Sequence, residues 1–488
     1  MANNKYPLPE QLRICVLQPD YSTTQVDYKN YDPVRNLSHL LPQAQVDHVL
    51  LNKLTVYRQL KQLSKNRYHV FVNLCEGYLE WEVPGIDVIY YLELLELPFT
   101  GPTTALYDPS KALMKYVAFT VGVKAPAYVL VESVADLKRH GSHLNYPLFV
   151  KPAKAGDSLG IDAGSRVESQ EQLEQKIHEL LPEYDQLLVE EYIDGREFTI
   201  LVAAEPGGKG QVRCFQPVEY IFPEGHSYKT YSLKTSELHP DANVPVTDTA
   251  IQEQLETAAR AIFSGFGGVG YARMDFRMDA KGTLYFLEVN FTCSVFYPEG
   301  FEGSADHILK LDGTGPAEFL RLIVAEGIDR YQRQSKKYRV NGNAIAGYGI
   351  YATEFLPPGT IIFHGEERLQ RIVTRRFVEE NWSPEEQEVF RRYAYPLSNE
   401  VFLLWDQHPS GWSPQNHSCN PNTRYDGLHV TTIREVQSGE ELTLDYTEFL
   451  DEHMEPFQCS CGAATCRGTI TGTSGNSVTL RETNRRSR

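Results

Sequence analysis

Cys459, Cys461 and Cys466 stand close together in the segment Phe457 to Ile470, FQCSCGAATCRGTI, and Cys419 lies upstream in Asn416-His417-Ser418-Cys419. Closed tetrahedral zinc takes four soft ligands at about 2.3 Å, and closely spaced ligands lower the entropy of gathering them. Four converging thiolates would make a structural zinc site that pins the Cys419 loop to the C-terminal segment; the other reading is four reduced thiols without a metal. A second set lies in the first half, where Tyr271 to Phe276 (YARMDF) and Leu284 to Asn290 (LYFLEVN) are joined by the turn Asp279-Ala280-Lys281-Gly282. Side chains alternate across a strand, so Arg273 and Asp275 share one face, Glu288 and Asn290 share a face of the partner, and a hairpin brings all four together. Two carboxylates and an amide oxygen are hard-oxygen ligands suited to magnesium bridging ATP phosphates. Arg273 beside them could stabilise charge developing on a transferring group. A surface hairpin with incidental charges is the alternative. Lys151, at a strand end, precedes a loop containing Gly156 and Gly160; backbone N–H groups of such a loop can fold over triphosphate oxygens while the lysine neutralises charge.

The elements that must position these residues alternate apolar strand-like runs with helical patterns, the signature of an α/β architecture. Arg13 to Leu17 and His69 to Leu74 read as strands, Pro84 to Glu96 as a helix. A length of 488 residues suggests about three domains, and a hydrophobic content of 41% supports real cores. The formal charge of -17 argues against a nucleic-acid partner and suits a lysine-rich acceptor. No signal peptide or membrane-length apolar stretch stands out, and Cys15, Cys75, Cys214 and Cys293 are dispersed like buried thiols in a reducing compartment. The expected location is therefore cytoplasmic or nuclear, with no membrane partner. His364, His408 and His429 read as core or surface residues rather than ligands, and His226 lies in a glycine- and aromatic-bearing loop that suits a lid or an ordinary exposed turn.

In the second half, Gly347-Tyr348-Gly349-Ile350-Tyr351-Ala352, the NHSCNPN run from Asn416 to Asn422, Gly439 to Tyr446 (GEELTLDY) and the C-terminal cysteines stand in order. Together they resemble the SET-domain lysine methyltransferases with their post-SET zinc motif. That resemblance implies that Gly347, Tyr348, Gly349, Asn416, His417 and Tyr446 hold S-adenosylmethionine, that Tyr446 is the active-site tyrosine, and that Cys419, Cys459, Cys461 and Cys466 bind zinc. Glycines would let backbone approach the donor closely. Tyr446, with a reference pKa of about 10, would be a poor general base. In the first half, Asn73-Leu74-Cys75-Glu76-Gly77, Pro98-Phe99-Thr100-Gly101-Pro102, Lys111 and the blocks above resemble the D-alanine–D-alanine ligase branch of the ATP-grasp enzymes over residues 11 to 315. That implies phosphate contacts from Lys111 and Lys151, adenine contacts from Glu190 and Ile193, a ribose contact from Glu197, magnesium on Asp275, Glu288 and Asn290, and Arg273 facing a tetrahedral intermediate. Gln18-Pro19-Asp20-Tyr21-Ser22 lacks the glycine-rich turn and glutamate that such ligases use for the first amino acid, and Asn290 to Phe296 departs from their Asn-Thr-x-Pro-Gly.

The expected fold is α/β, an ATP-grasp domain with a preceding α/β domain, plus a C-terminal mainly-β SET domain with a pseudoknot. The expected divisions are 1–108 (pre-ATP-grasp), 109–325 (ATP-grasp), 326–338 (linker), 339–472 (SET and post-SET) and 473–488 (disordered tail). The expected activity is bifunctional: ATP-dependent ligation of a carboxylate to an amine on an amino acid or peptide, and methylation of nitrogen, on a lysine of a protein or on a smaller product. The alternative is a protein-lysine methyltransferase whose first half binds nucleotide or substrate without catalysis. The oligomeric state stays open, although the ligase resemblance implies a homodimer. Leu444 stands where SET relatives carry a phenylalanine or tyrosine that limits methyl number, and it offers no hydroxyl to an ordered water. More than one methyl per acceptor nitrogen is therefore expected at exhaustive conversion, and mass spectrometry showing monomethyl product alone would overturn this.

Overall fold

The computed structural model describes residues 5–472 apart from 25–31, 78, 80, 155–159, 209, 224–226, 229–241, 344–346, 366–369, 406–414 and 449–455. Most of the glycine loop after Lys151, together with His226, His408 and the C-terminal tail, lies outside the described residues. The chain divides into two compact units, 1–334 and 335–488. Among the described residues no helix is long and apolar enough to cross a membrane.

The first unit opens on three parallel strands in the order β2-β1-β3, with β1 at Arg13–Pro19, β2 at Gln45–Leu51 and β3 at Val70–Asn73. β1 is central and buried along Ile14 to Pro19, which is why it reads as one apolar run instead of an alternation. Helices α1 (Val56–Leu63) and α2 (Ile86–Leu94) pack Leu60, Val88, Ile89 and Leu92 on one side of this sheet. Its other side is closed by a helix far along the chain, Gly315–Gln334, whose Phe319, Leu322 and Ile323 share a core with Ile14, Val16, Val70 and Val72.

Two antiparallel sheets follow. One has the order β4-β7-β5-β6 (Tyr128–Val131, Leu187–Glu191, Leu148–Pro152, Arg166–Val167). The other runs β11-β10-β8-β12-β13 (Asn243–Pro245, Val218–Tyr220, Arg196–Ala204, Tyr271–Met278, Leu284–Asn290), with β9 (Val212–Cys214) also paired to β8. Helix α3, Lys111–Thr120, precedes both sheets. The Ser110 hydroxyl caps it by accepting from the Leu113 N–H at 3.2 Å, which sets Lys111 in the first turn and Lys115 one turn later on the same buried face.

The expected linker over 326–338 is corrected by this unit. Residues 326–334 are helical and belong to the first unit: Glu326, Gly327 and Arg330 are buried, and Arg330 donates to the carbonyls of Phe99 (2.6 Å) and Gly101 (3.0 Å). The polar composition there is the outer face of a packed helix, and the units part between Gln334 and Ser335.

The second unit is built of short strands. β14 (Tyr338–Asn343) pairs antiparallel with β15 (Gly347–Ala352); β16 (Ile361–Phe363), β22 (His429–Thr432) and β21 (Thr423–Asp426) form one sheet; β17 (Gln370–Thr374), β19 (Val401–Trp405) and β18 (Tyr395–Pro396) form another. β20 (Asn416–His417) lies parallel to β23 (Thr443–Leu444), and β24 (Phe457–Gln458) pairs with β25 (Thr469–Ile470). The core gathers Tyr338, Ile350, Ile362, Val430, Leu442 and Leu444.

Gly195, at the start of β8, has φ +145°, and a Cβ there would stand 2.0 Å from the Met278 carbonyl oxygen. Neither the backbone angle nor the space admits a side chain, and relief would move β8 against β12. Gly195→Ala is expected to cost about 2–4 kcal/mol of stability in the first unit, read as a lowered urea midpoint by circular dichroism; an unchanged midpoint would refute the argument.

Candidate active sites

The β12–β13 register sets Asp275 directly opposite Glu288 and Arg273 opposite Asn290, with the turn at Asp279–Gly282 closed by an Asp279 carboxylate that accepts from the N–H groups of Lys281 and Thr283. Period-two alternation therefore brings the four expected side chains together. Arg273 Nη2 lies 3.3 Å from Asp275 Oδ2, and the Asn290 amide oxygen accepts from Thr292 N (2.8 Å) and Thr292 Oγ1 (3.2 Å). One more residue shares the pattern although sequence reasoning passed over it. Arg277 continues the Arg273–Asp275 face, pairs in register with Glu197 on β8, and holds its carboxylate through Nε (3.1 Å) and Nη2 (3.0 Å) while Nη1 donates to the Ile193 carbonyl at 2.8 Å.

The opposing wall comes from the other sheet and α3. Glu190 on β7 sits between Lys115 and Lys151, 2.5 Å from each, with all three side chains less than a tenth exposed. Burial opposes ionisation of Glu190, yet the two lysines outweigh it and bring its carboxyl down to about 2. Burial likewise lowers Lys111 and Lys115, whereas at Lys151 the carboxylates of Glu190 and Glu288 overcome burial and raise it. Lys115 was not anticipated; its signal was the four-residue step from Lys111 along one helical face. Between the walls lies a cleft with about 680 Å³ of open space, lined by Lys151, Glu190, Ile193, Glu197, Asp275 and Glu288. Its apolar side is an aromatic group in which Phe149, Tyr192 and Tyr228 rings lie 5.1–6.1 Å apart.

Next to this cleft, residues from three segments converge on Arg35, whose side chain is 1% exposed. Its guanidinium meets Asp32 (3.1 Å), Glu76 (3.2 Å) and the carbonyls of Leu74 and Val295 (3.1 Å each). Tyr21 and Tyr297 donate hydroxyls to Asp32, and Ser294 donates to Glu76. Burial, offset in part by Arg35, raises the Glu76 carboxyl to about 7.

In the second unit, Glu441 organises the glycine strand. Its carboxylate accepts from Asn416 Nδ2 (2.7 Å) and Asn343 Nδ2 (3.0 Å), and Asn416 Nδ2 also reaches the Tyr348 carbonyl at 2.9 Å. A Cβ on Gly349 would stand 2.3 Å from Glu441 Oε1 and 3.0 Å from Asn416 Nδ2, so this glycine makes room for the chain's own side chains. Gly347 has φ +83°, the left-handed region glycine supplies. Tyr446 donates its hydroxyl to the Gln415 carbonyl at 2.7 Å. Burial, with Tyr393 and Glu441 nearby, raises its pKa to about 12, which keeps the phenol protonated. His417 accepts the Tyr446 N–H at Nδ1 (3.1 Å), and its Nε2 lies 3.4 Å from Cys419 Sγ; the ring's polar atoms are committed within the protein. Leu444 is 4% exposed and belongs to the core.

The four sulfurs of Cys419, Cys459, Cys461 and Cys466 lie within 4.8 Å of one another, with Cys419 and Cys459 at 3.9 Å. Tetrahedral zinc with bonds of about 2.3 Å separates its sulfurs by about 3.8 Å. The donor set fits. The clustered thiols titrate apart: burial is outweighed at Cys461 by backbone N–H groups of Cys419 and Ala463 and the neighbouring sulfurs, which bring it down to about 6, while burial and neighbouring sulfurs push Cys459 up to about 12. In the hairpin, the opposed carboxylates of Asp275 and Glu288 fit a hard cation, while Thr292 already engages the Asn290 oxygen.

Residues 117–301 match the family model described as D-ala D-ala ligase C-terminus, and residues 347–447 match the SET domain. Among curated proteins, the D-alanine--D-alanine ligase of Legionella pneumophila (strain Corby) is 31% identical over 226 residues, covering 43% of this chain and 61% of that protein. The Bordetella petrii D-alanine--D-alanine ligase is 29% identical over 204 residues, covering 41% and 60%. The chain thus spans about three-fifths of the length of the curated relatives it matches. Among solved structures, the Bacillus anthracis D-alanine--D-alanine ligase complexed with ATP is 17% identical, covers 66% of this chain and all of that chain, and has a TM-score of 0.47.

The Glu190 carboxyl, held at about 2 in the fold, contributes stability above its ordinary value of 4.5, and that contribution is lost as pH falls from there toward 2. Glu190→Gln leaves two buried ammonium groups without their carboxylate and is expected to cost roughly 3–5 kcal/mol at neutral pH. Urea melts across pH should show a shallower acid decline for the variant; parallel declines would refute the assignment.

Proposed function

We propose, for a chain in which residues 117–301 form a D-Ala–D-Ala ligase C-terminal domain and residues 347–447 a SET domain, that it is a bifunctional enzyme. Its first unit joins a carboxylate to an amine at the expense of ATP; its second transfers a methyl group from S-adenosylmethionine to nitrogen. The observation that carries the ligase reading is the cleft itself, lined by Lys151 and Glu190 on one side and by Asp275, Arg277 and Glu288 on the other, with Lys111 buried within the field of Glu288 and Glu190 and Arg273 paired to Asp275. A binding module has no need of an arginine beside two opposed carboxylates.

In this reading a substrate carboxylate oxygen attacks the γ-phosphorus and ADP leaves. The amine nitrogen then attacks the acyl carbon, loses a proton, and phosphate departs as the amide forms. Lys111 and Lys151 bind phosphate oxygens, Glu190 and Ile193 meet the adenine edge, and Glu197, steadied by Arg277, meets the ribose. Arg273 stabilises the negative charge that develops at the acyl centre. Asp275 and Glu288 would hold magnesium, joined by Asn290 once Thr292 releases its oxygen, and the ion would supply positive charge that neutralises the phosphates. Because Gln18 to Ser22 lacks the usual glutamate, the Asp32, Arg35 and Glu76 group, with Tyr21, Ser294 and Tyr297, takes over amino acid recognition. That change supports an amino acid or peptide substrate other than D-alanine.

In the second unit Asn416 and the Gly347–Gly349 strand hold the donor, and the protonated Tyr446 orients sulfonium and acceptor without acting as base. The amine arrives neutral, having lost its proton to solvent. Zinc on the four cysteines would supply structural cross-linking. A lysine is the acceptor this architecture favours, and a product of the first unit is the second candidate.

Incubating the full chain with ATP, magnesium and pools of amino acids, followed by ADP measurement and mass spectrometry, is expected to give an amide product. Arg273→Ala should lower turnover by at least a hundredfold with ATP binding retained, as for loss of a charge-stabilising donor. ATP binding without ADP release across a broad panel would overturn the ligase reading in favour of a nucleotide-binding module.

A further inference from the structure

His417 makes one bond with each of its ring nitrogens, and the two bonds run to different parts of the second unit. Nδ1 accepts the backbone N–H of Tyr446 at 3.1 Å and is therefore unprotonated, which leaves the proton of a neutral ring on Nε2. Nε2 stands 3.4 Å from Cys419 Sγ, so the ring donates an N–H to that sulfur. Arg467 adds a parallel link. Its backbone N–H donates to Cys419 Sγ at 3.4 Å, and its guanidinium donates to Asp445 Oδ1 at 2.6 Å and Thr447 Oγ1 at 3.0 Å, the residues on either side of Tyr446.

We propose that His417 is a positioning residue that ties the metal-binding sulfur of Cys419 to the backbone of the active-site tyrosine, so that metal occupancy of the four-cysteine site sets the placement of Tyr446. The inference rests on the methyltransferase and zinc readings above and extends them. A thiolate bound to metal has a fixed position and accepts the Nε2–H. The ring is then fixed by its sulfur partner and holds the Tyr446 N–H from the other side. Without metal, Cys419 is free to rotate and the ring loses one of its two anchors.

Two substitutions separate the bonds. A glutamine amide nitrogen reaches the Nε2 position and keeps the donor to sulfur but lacks the acceptor for Tyr446; an asparagine oxygen reaches the Nδ1 position and keeps that acceptor but not the donor. The full-length chain is loaded with Co²⁺ in place of zinc. His417→Asn is expected to shift the thiolate-to-cobalt charge-transfer band to longer wavelength and weaken metal affinity by about tenfold, the range seen on losing a partner of a metal ligand. His417→Gln should leave the band in place yet speed hydrogen exchange at the Tyr446 amide about tenfold and lower methyl-transfer kcat with KM for the donor little changed. Chelating the metal from the unsubstituted protein should speed exchange at Tyr446 likewise. An unshifted band in His417→Asn, or exchange at Tyr446 indifferent to metal, overturns the proposal. A missing cobalt–thiolate band in the unsubstituted protein overturns the zinc reading and the proposal with it. Absent methyl transfer with the spectral and exchange effects intact sinks only the catalytic reading.

Discussion

The cleft of the first unit depends on one carboxylate, Glu190, kept ionised although almost all of it is withdrawn from water. Desolvating a charge is costly unless opposite charges stand close by with good geometry. Lys115 and Lys151 supply that geometry from a helix and a neighbouring strand, so the ion group fixes α3 against β5 and β7. Lys151 lines the cleft beside Glu190, with Lys115 and Lys111 buried close to the same carboxylate, while the facing hairpin presents Asp275 and Glu288. The first unit is thus an electrostatic container with unlike walls, each wall positioned by its own sheet.

The second unit works from smaller means. Its strands are short, and much of its order comes from polar side chains bonded to backbone: Asn422 donates to the Glu441 carbonyl and accepts from Thr443 N, and Glu441 collects Asn343 and Asn416. Such bonds contribute about 1 kcal/mol each when satisfied and cost more when one partner is removed. A metal cross-link through the four sulfurs would therefore matter more here than in the first unit, because the apolar core is small.

The hairpin chemistry was legible because strand alternation has a period of two, so Arg273, Asp275, Glu288 and Asn290 could be placed without knowing the rest of the fold. The cysteines were legible through spacing, since three of the four sit within one turn-rich segment. Other features were hidden for definite reasons. Arg35 and Asp32 meet Glu76, Ser294 and Tyr297 only because three distant segments converge, and nothing local marks Arg35 or Asp32. The end of the first unit was misread because Gly327 to Lys337 is polar, although Phe319, Ile323, Glu326 and Arg330 recur at helical spacing on the buried face. Gly349 was read as yielding to a donor molecule, whereas its missing side chain first admits Glu441. The ring of His417 could be recognised from its motif, but its proton position follows from Tyr446 N–H, a partner fixed only by the tertiary fold.

The helix Gly315–Gln334 covers a sheet whose three strands are complete by Asn73. During synthesis those strands emerge first and their apolar face, Ile14, Val16, Val70 and Val72, has only Leu37, Leu41 and other short pieces beside it until the ribosome has added the covering helix. At usual elongation rates the delay is on the order of ten to fifty seconds, longer than most helix and hairpin formation. The nascent chain therefore carries a sticky, half-finished layer through most of its translation, and holdase chaperones are the natural custodians of that interval.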